Sequence, residues 1–285
     1  MEIKKVGVVG CGIMGGGIAH VCAQAGYNVM VSEINEELLN KGLNAIKSVL
    51  TKSVEKGRLS QADKDAILGR IKGTTNMKDF NDRDLMIEAA VENMDLKRKI
   101  FAELDKTCPK HAILATNTSC LSIIDIAKAT SRADKVLGMH FFNPAAVMKL
   151  LEVVRTIATS DDILVVAKAF GGSLGKSVIV AKDTPGFVVN ALAVPYLLSA
   201  IRMLEAGIAS REDIDNGVML GLNHPMGPLA LADYIGLDTN LFIAEASYAE
   251  TKDPKWIAPG LLRKMVAAGW LGRKTGKGFY DYTKS

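Results

Sequence analysis

The sequence has few of the residues that build metal centres or disulfide frameworks. Its 285 residues include four cysteines and four histidines. The cysteines, Cys11, Cys22, Cys108 and Cys120, show no C-x-x-C spacing, and no two histidines stand four residues apart. We therefore predict reduced thiols, as in a cytosolic protein, and no metal site.

An excess of charge of one sign is also lacking. The 35 basic residues nearly balance the 31 acidic ones, which leaves a formal net charge of +4. No dense stripe of lysine and arginine with interleaved aromatic residues occurs, so a nucleic-acid partner is not expected. The small positive excess would suit an anionic small molecule, although an ordinary solvated surface explains it equally well.

Long apolar runs are missing apart from residues 6–26, which carry no charge and follow Lys4 and Lys5. A lipoprotein-type export signal ending before Cys11 would leave only residues 6–10 as its apolar part, whereas about 7–15 are needed. A membrane span needs about 20 predominantly apolar residues, and this stretch is rich in glycine and contains His20 and Gln24. We predict a cytoplasmic protein without a membrane segment.

The same stretch has the order of strand, glycine turn and helix that binds dinucleotides. Residues 3–9 predict a strand, and Gly10-x-Gly12-x-x-Gly15 follows it directly. Gly10 would permit the sharp turn, Gly12 would let the backbone approach a pyrophosphate, and Gly15 would let the helix pack closely. The sequence therefore predicts a dinucleotide site.

The following residues indicate which dinucleotide binds. The first helical residues, Ile13 and Met14, would offer backbone N–H groups to the phosphates. Residues 27–32 predict a second strand, and Glu33 follows it, where a carboxylate can accept hydrogen bonds from the adenosine ribose. No lysine or arginine occurs between Glu33 and Asn40. We predict NAD rather than NADP.

Strand and helix patterns alternate as far as residue 181 and then give way to helices alone. This alternation predicts an α/β fold with a Rossmann-type, doubly wound, mostly parallel sheet, followed by an all-helical domain. We place the boundary near Lys182, between an NAD-binding domain (1–182) with an inserted helical pair and an all-α substrate and dimerisation domain (183–285). The remaining predicted strands are 84–90, 112–116, 136–142, 150–154 and 177–181. The predicted helices are 36–56, 61–70, 95–107, 123–129, 162–174, 185–206 with Thr184 as its cap, 211–220, 228–248 and 260–268.

Four polar residues are candidates for chemistry. His140 and Ser119 lie near the ends of predicted strands, Glu152 is an isolated acid in an apolar run, and Asn190 lies in an apolar helix start. Hydride transfer from an alcohol needs such a base, an orienting acid and donors for the oxyanion. Each residue taken singly is explained at least as well by a structural role.

Two nucleophilic alternatives use the same residue types. A Ser-His-acid hydrolase is not supported, because no G-x-S-x-G elbow surrounds a serine. Cys120, beside Ser119, could be a nucleophile, but a lone loop cysteine is more often inert.

Seven motifs spread over the whole chain resemble the short-chain L-3-hydroxyacyl-CoA dehydrogenase family. They occur in the family's order and spacing, and they are VGVVGCGIMGGGIA (6–19), AAVENMDLK (89–97), NTSCLSI (117–123), HFFNPAAVMKLLEVV (140–154), KDTPGFVVNAL (182–192), NHPMGPLALAD (223–233) and GWLGRKTGKGFYDY (269–282).

The resemblance implies catalytic roles for the four candidates. His140 matches the general base that takes the proton of the 3-hydroxyl as hydride leaves for NAD. Glu152 matches the acid that holds its imidazole, and Ser119 and Asn190 match the groups that hydrogen-bond the substrate oxygen.

The resemblance also implies contacts to the cofactor and to coenzyme A. Glu92 and Lys97 match contacts on the nicotinamide side, and Asn143 and Ser119 are expected to contact NAD as well. The family binds coenzyme A with the helical pair, which here indicates Lys52 and Lys56. Their spacing places both ammonium groups on one helix face. Two solvated lysines explain these residues nearly as well.

The sequence departs from the family pattern at three positions. Glu33 stands where many members have Asp, which should preserve the ribose contacts. Ala146 replaces a common proline and Cys120 a frequent serine, both near the expected acyl pocket. These changes bear on substrate range more than on activity.

Three functions remain open. The resemblance implies an NAD-dependent dehydrogenase of short-chain 3-hydroxyacyl-CoA, able to reduce acetoacetyl-CoA. A relative acting on a free hydroxy acid would keep His140 and Glu152 but lack a coenzyme A site. A non-enzymatic, crystallin-like relative would bind NAD in a structural role. The family's dimers through the helical domain imply a homodimer or a higher homo-oligomer.

Overall fold

The computed structural model describes residues 1–283, which contain one sheet of eight strands. The sheet order is β3-β2-β1-β4-β5-β6-β7-β8, and each neighbouring pair is parallel except β6 and β7, which are antiparallel. The prediction of a Rossmann-type, mostly parallel sheet is confirmed. The strands are β1 (Lys5–Val9), β2 (Asn28–Ser32), β3 (Ile71–Thr74), β4 (Leu85–Glu88), β5 (Ile113–Thr116), β6 (Val136–Phe141), β7 (Leu150–Arg155) and β8 (Ser177–Lys182).

Helices lie between most of the strands and dominate the described residues after 183. In the first part they are α1 (Ile13–Gln24), α2 (Glu36–Glu55), α3 (Gln61–Gly69), α4 (Met94–Thr107), α5 (Ile123–Ala127) and α6 (Asp161–Ser173). Those after residue 183 are α7 (Val189–Glu205), α8 (Arg211–Gly221), α9 (Pro228–Ile235), α10 (Leu237–Thr251) and α11 (Gly260–Ala267). The backbone contacts divide the chain after Asp183, one residue beyond the boundary predicted near Lys182. The helical character of the second unit is confirmed.

The central strands are buried on both faces, which explains their continuous apolar sequences. All residues of β4, β5 and β6 are buried. A strand covered on both faces by helices has no solvent-facing side, so alternation with polar residues disappears. A charged side chain in such a strand needs a partner, and Glu88 and Glu152 are both fully buried.

The sheet order reverses at β1, which lies between β2 and β4. In doubly wound sheets, ligands bind outside the carboxyl ends of the strands at this switch point. The glycine turn after β1 and the loops after β4, β5 and β6 all lie at this edge.

The prediction of a helix beginning at Pro185 with Thr184 as cap is wrong. The helix begins at Val189, and residues 185–188 form a turn. Gly186 has φ +76° and Phe187 has φ +50°, and neither value is compatible with a right-handed helix. The cap-and-proline pattern therefore describes a turn that precedes the helix.

The single helix predicted over residues 228–248 is also wrong. The structure has two helices, α9 and α10, which meet at Gly236. Gly236 has φ +109°, a conformation that glycine adopts without strain and that ends a helix.

Two buried aspartates hold the end of the second unit. Asp233 accepts hydrogen bonds from the backbone N–H groups of Phe279 and Tyr280 at 2.9 and 3.0 Å and from the Tyr282 hydroxyl at 3.0 Å. Asp215 accepts the Tyr280 hydroxyl at 2.9 Å and the Leu229 N–H at 2.7 Å. The last described segment is therefore bound to helices α8 and α9 through their carboxylates.

Over residues 1–283, no helix is both long and apolar enough to cross a membrane. The same residues contain no group of three or more His, Cys, Asp and Glu side chains that could hold a metal ion.

Candidate active site

The glycine turn after β1 is closed on the protein side and open on the other. Gly10 has φ +93°, and a Cβ there would lie 2.8 Å from the Ala89 carbonyl oxygen. A Cβ on Gly15 would overlap the Gly10 carbonyl oxygen. A Cβ on Gly12 would meet no protein atom within 4 Å. Gly12 therefore presents open backbone, whereas Gly10 and Gly15 fix the shape of the turn.

The helix N-terminus and Glu33 border this open backbone. The first helical hydrogen bond runs from Gly16 N to Gly12 O at 2.8 Å, so the N–H groups of Ile13 and Met14 precede the helical ladder. Glu33 Oε1 accepts the Cys11 N–H at 2.7 Å. The carboxylate is therefore fixed beside the turn, at the place where the sequence predicts an adenosine ribose.

A buried ion-pair network lies under the loop after β4. The Lys97 ammonium contacts Glu88 Oε1 at 2.7 Å and Glu92 Oε2 at 3.2 Å, and Lys97 is only 1% exposed. Thr116 donates to Glu88 Oε2 at 2.7 Å. The Lys97 ammonium is therefore buried in an ion pair with Glu92 and does not extend into solvent.

Glu92 in turn organises the loop after β5. Its Oε1 accepts the Ser119 N–H at 2.8 Å and the Thr118 hydroxyl, and the Ser119 hydroxyl lies 3.3 Å away. Glu92, Lys97 and Ser119, three of the predicted site residues, therefore form one connected cluster.

His140 and Glu152 are directly opposite each other on the antiparallel strands β6 and β7. His140 Nδ1 lies 2.7 Å from Glu152 Oε2, and the Glu152 carboxylate has no solvent exposure. Opposite residues in antiparallel strands project their side chains to the same face. The strand register alone therefore brings these two predicted residues together.

Asn117 connects the Ser119 loop to the end of β6. Its Oδ1 accepts the Phe141 N–H at 2.9 Å, next to His140 in the chain. The Ser119 loop and the histidine strand are therefore held at one edge of the sheet.

A cavity of about 580 Å³ adjoins the glycine turn. Most of its wall is apolar, and Asn143 lies on it. Its lining residues are Cys11, Gly12, Ile13, Gly16, Gly17, His20, Glu33, Leu38, Lys41, Gly42, Ala45, Ile46, Val49, Asn143, Pro144, Ala145 and Ala146. Ala146, which departs from the family pattern, thus faces this cavity.

The other predicted residues lie outside this cluster. Lys52 is exposed in the last turn of α2, and Lys56 is exposed at its C-cap. Neither lysine lines the cavity. Asn190 belongs to the second unit, where it is half-buried in the first turn of α7.

Burial makes the loop cysteine a poor nucleophile. Cys120 is 2% exposed, and burial together with the nearby Glu92 carboxylate raises the pKa of its thiol to about 12. Since the thiolate is the reactive form, the thiol is inert at neutral pH.

Three residues of the site were not predicted from the sequence, namely Glu88, Thr118 and Asn117. Glu88 carried the same signal as Glu152, because it is an acid that ends an apolar strand. Thr118 and Asn117 stand beside Ser119 in one polar loop. Their spacing does not show which of these residues contacts a ligand and which stabilises the loop.

Two family models match the chain. The NAD-binding domain of 3-hydroxyacyl-CoA dehydrogenase matches residues 5–184, and the C-terminal domain of the same family matches residues 186–282. The chain belongs to the 3-hydroxyacyl-CoA dehydrogenase family. It is therefore an NAD-dependent oxidoreductase, and the open backbone at Gly12 with the helix N-terminus fits a bound pyrophosphate.

Relatives of this dehydrogenase match over nearly full length. The 3-hydroxybutyryl-CoA dehydrogenase of Mycobacterium tuberculosis is 49% identical, covering 98% of this chain and 99% of the relative. The probable 3-hydroxybutyryl-CoA dehydrogenase of Bacillus subtilis is 45% identical, with 99% and 98% covered. The crystal structure of (S)-3-hydroxybutyryl-CoA dehydrogenase from Ralstonia eutropha is 48% identical with a TM-score of 0.95, covering 99% and 100%. A diketoreductase structure is 31% identical with a TM-score of 0.88, covering 99% and 100%.

Proposed function

We propose that the protein interconverts (S)-3-hydroxyacyl-CoA and 3-oxoacyl-CoA, with 3-hydroxybutyryl-CoA and acetoacetyl-CoA as the short-chain pair. The observation that carries the proposal is the buried contact of 2.7 Å between His140 Nδ1 and Glu152 Oε2. The relatives named for 3-hydroxybutyryl-CoA support the choice of substrate.

The contact between His140 and Glu152 determines which ring nitrogen acts as the base. An ionised carboxylate only accepts hydrogen bonds, so Nδ1 carries the ring proton and Nε2 carries the lone pair. In the oxidative direction, Nε2 takes the proton of the 3-hydroxyl while C3 loses hydride and the C3–O bond becomes a carbonyl. Bound NAD⁺ supplies the hydride acceptor. Glu152 acts as a positioning residue that also stabilises the imidazolium.

Ser119 and Asn190 are proposed to hydrogen-bond the substrate oxygen. In the reductive direction, negative charge develops on this oxygen, and fixed donors stabilise it. The contacts of the Ser119 N–H and hydroxyl with Glu92 hold its loop in place. Asn190 lies in the first turn of α7.

The cofactor contacts are proposed to come from the edge of the first unit. Gly10, Gly12 and Gly15, with the N–H groups of Ile13 and Met14, would hold the pyrophosphate. Glu33 would hold the adenosine ribose. The nicotinamide contacts would come from Glu92, Lys97, Ser119 and Asn143, and the buried position of Lys97 indicates that it acts through Glu92.

Coenzyme A is proposed to reach α2. Lys52 and Lys56 are exposed at the end of this helix, where two ammonium groups can hold phosphate. The protein is further proposed to be a cytoplasmic homodimer formed through the second unit. Large apolar side chains exposed there support this, since Leu192 is 73% and Leu220 is 86% exposed.

The deciding experiment compares wild type with His140→Gln in reduction of acetoacetyl-CoA by NADH. Loss of the base should lower kcat by roughly 10²–10⁴-fold. NADH affinity, measured by fluorescence titration, should stay within about twofold, because His140 is not a proposed phosphate or ribose contact. A matched control is the exposed His111→Gln, which should keep full activity. Normal turnover by His140→Gln would overturn the assigned role.

The similarity to the diketoreductase structure favours a second candidate function, which is reduction of a free dicarbonyl compound or oxidation of a free hydroxy acid. The same His140–Glu152 pair could serve any secondary alcohol. Wild-type kcat/KM for acetoacetyl-CoA and for acetoacetate distinguishes the two. Turnover of the free acid alone would replace the proposed substrate.

A further inference from the structure

His20 is a nearly buried imidazole on the wall of the cavity beside the glycine turn. It lies in α1, is 8% exposed and lines the cavity. Within residues 1–283, no side chain or backbone group hydrogen-bonds its ring. Burial lowers its pKa from the usual 6.5, so the ring is neutral at pH 7. The ring nitrogens are not enclosed by protein, so they are open to the cavity and can hydrogen-bond a molecule bound there.

The cavity follows one face of α2. Leu38, Gly42, Ala45 and Val49 line it and recur at intervals of three or four residues. From residue 38 to residue 49, a helix rises by about 16 Å. The opposite wall is the 143–146 loop, which begins two residues after β6 ends. The cavity is therefore an elongated, mostly apolar groove that begins near the histidine strand.

The next positions on the same face of α2 are Lys52 and Lys56, three and seven residues after Val49. A molecule that follows the groove away from the histidine strand therefore meets apolar walls first and two exposed ammonium groups last. An apolar wall followed by two ammonium groups suits a long ligand that has apolar and amide groups along its length and phosphates at its end.

We propose that His20 hydrogen-bonds an amide of the pantetheine arm of the acyl-CoA substrate and thereby selects for thioesters that carry this arm. The inference rests on the proposed function, since it places the substrate's reacting end at His140. A neutral imidazole offers one donor and one acceptor, which matches the N–H and C=O of an amide. The other polar side chains on the wall are Lys41 in α2, Glu33 after β2 and Asn143 in the 143–146 loop.

The competing occupant is NAD, because four of its proposed contacts, Gly12, Ile13, Glu33 and Asn143, also line the groove. None of those four residues lies on the stretch of α2 along Ala45 and Val49. Binding of NAD in the groove would make His20 a determinant of NADH affinity and not of thioester choice, so the two occupants give different kinetic results.

The test compares wild type, His20→Leu and His20→Gln with acetoacetyl-CoA, acetoacetyl-pantetheine and the S-ethyl thioester of acetoacetate. His20→Leu should raise KM for the two arm-bearing substrates by roughly 5–30-fold, the loss of one buried hydrogen bond, with kcat unchanged. His20→Gln, which keeps a donor and an acceptor, should stay within about threefold. Values of kcat/KM for the ethyl thioester and KM for NADH should not change.

Three other kinetic results are possible, and each would overturn a different part of the proposal. Equal effects on all three thioesters, or none, would overturn the role of His20. A changed KM for NADH alone would assign the groove to the dinucleotide. A wild type inactive on every thioester would overturn the proposed function itself.

Wild-type protein provides a second measurement that does not depend on a variant folding. Diethyl pyrocarbonate modifies neutral imidazoles, and peptide mass spectrometry gives the rate at each histidine. Coenzyme A should slow modification of His20 at least fivefold while the exposed His111 reacts at an unchanged rate. Protection of His20 by NADH but not by coenzyme A would overturn the inference.

Discussion

At the residue scale, the candidate site depends on polar side chains placed in otherwise apolar strands. Glu152 was a candidate because of this contrast, since a carboxylate in a buried run needs a partner. His140 was a candidate because it lies near a strand end, and the roles of both residues were implied only by the family resemblance. Glu88 carried the same contrast and was missed, since its partner Lys97 lies on the next helix. His20 could not be recognised, because nothing in a helical sequence shows which buried positions border a cavity.

The substitution Glu152→Gln separates the charge of this residue from its hydrogen bond. Glutamine can still accept the Nδ1 proton of His140, but it cannot stabilise the imidazolium. We expect kcat for acetoacetyl-CoA to fall by roughly 10²–10⁴-fold, with KM and NADH affinity nearly unchanged. Steady-state kinetics and NADH titration measure both effects.

Two controls accompany this variant. Glu103→Gln changes an exposed acid on α4 and should keep wild-type kcat. A parallel loss of kcat and NADH affinity in Glu152→Gln would instead indicate that the residue only maintains the structure.

At the scale of elements, the alternation of strands and helices was predictable because buried parallel strands are continuous apolar runs. Strand β3 was missed, since Ile71–Thr74 contains Lys72 and Gly73 and shows neither alternation nor a long apolar run. The starts of α7 and α10 were mispredicted for a different reason. They are set by left-handed residues, and φ depends on tertiary packing that a local pattern does not contain.

The glycine turn allows a graded test of the element that is proposed to hold NAD. Gly15→Ala would place a Cβ against the Gly10 carbonyl oxygen, so we expect the free energy of unfolding to fall by about 1–3 kcal/mol. NADH affinity should fall with it, because the turn must move. Chemical denaturation and NADH titration measure the two quantities.

Neighbouring glycines supply the controls. A Cβ on Gly16 would lie 3.6 Å from its nearest neighbours, an ordinary contact, so Gly16→Ala should keep both stability and NADH affinity. The Cβ that Gly12→Ala adds would meet no protein atom, so this variant should lose NADH affinity and keep its stability. Equal stability of Gly15→Ala and Gly16→Ala would show that the close approach to Gly10 is not restrictive.

At the scale of the whole molecule, stability at alkaline pH should depend on the segment bound by Asp233. Burial and the nearby Asp233 carboxylate raise the pKa of Tyr282 from 10 to about 12. Between these values the folded protein keeps a proton that the unfolded chain has lost. The free energy of unfolding contributed by Tyr282 is therefore complete below pH 10 and declines as pH rises to about 12.

The substitution Tyr282→Phe removes this titration together with the hydrogen bond to Asp233. At pH 8 we expect the variant to be about 1 kcal/mol less stable than wild type. That difference should shrink between pH 10 and about 12, because only wild type loses the interaction there. Urea unfolding at pH 8, 10 and 11.5 measures it, with Tyr234→Phe as an exposed control. A difference that stays constant with pH would contradict the assignment.

The direct opposition of His140 and Glu152 across β6 and β7 has a consequence for how this enzyme can change in evolution. The pairing is set by strand register, and a shift of one residue would turn Glu152 to the other face of the sheet. The connection over residues 142–149 takes no part in that register, yet it supplies one wall of the groove. Insertions and substitutions there can therefore alter which substrates are accepted while the proton-transfer pair stays intact. The strands of this hairpin carry the proton-transfer pair, and the connection between them affects substrate selectivity.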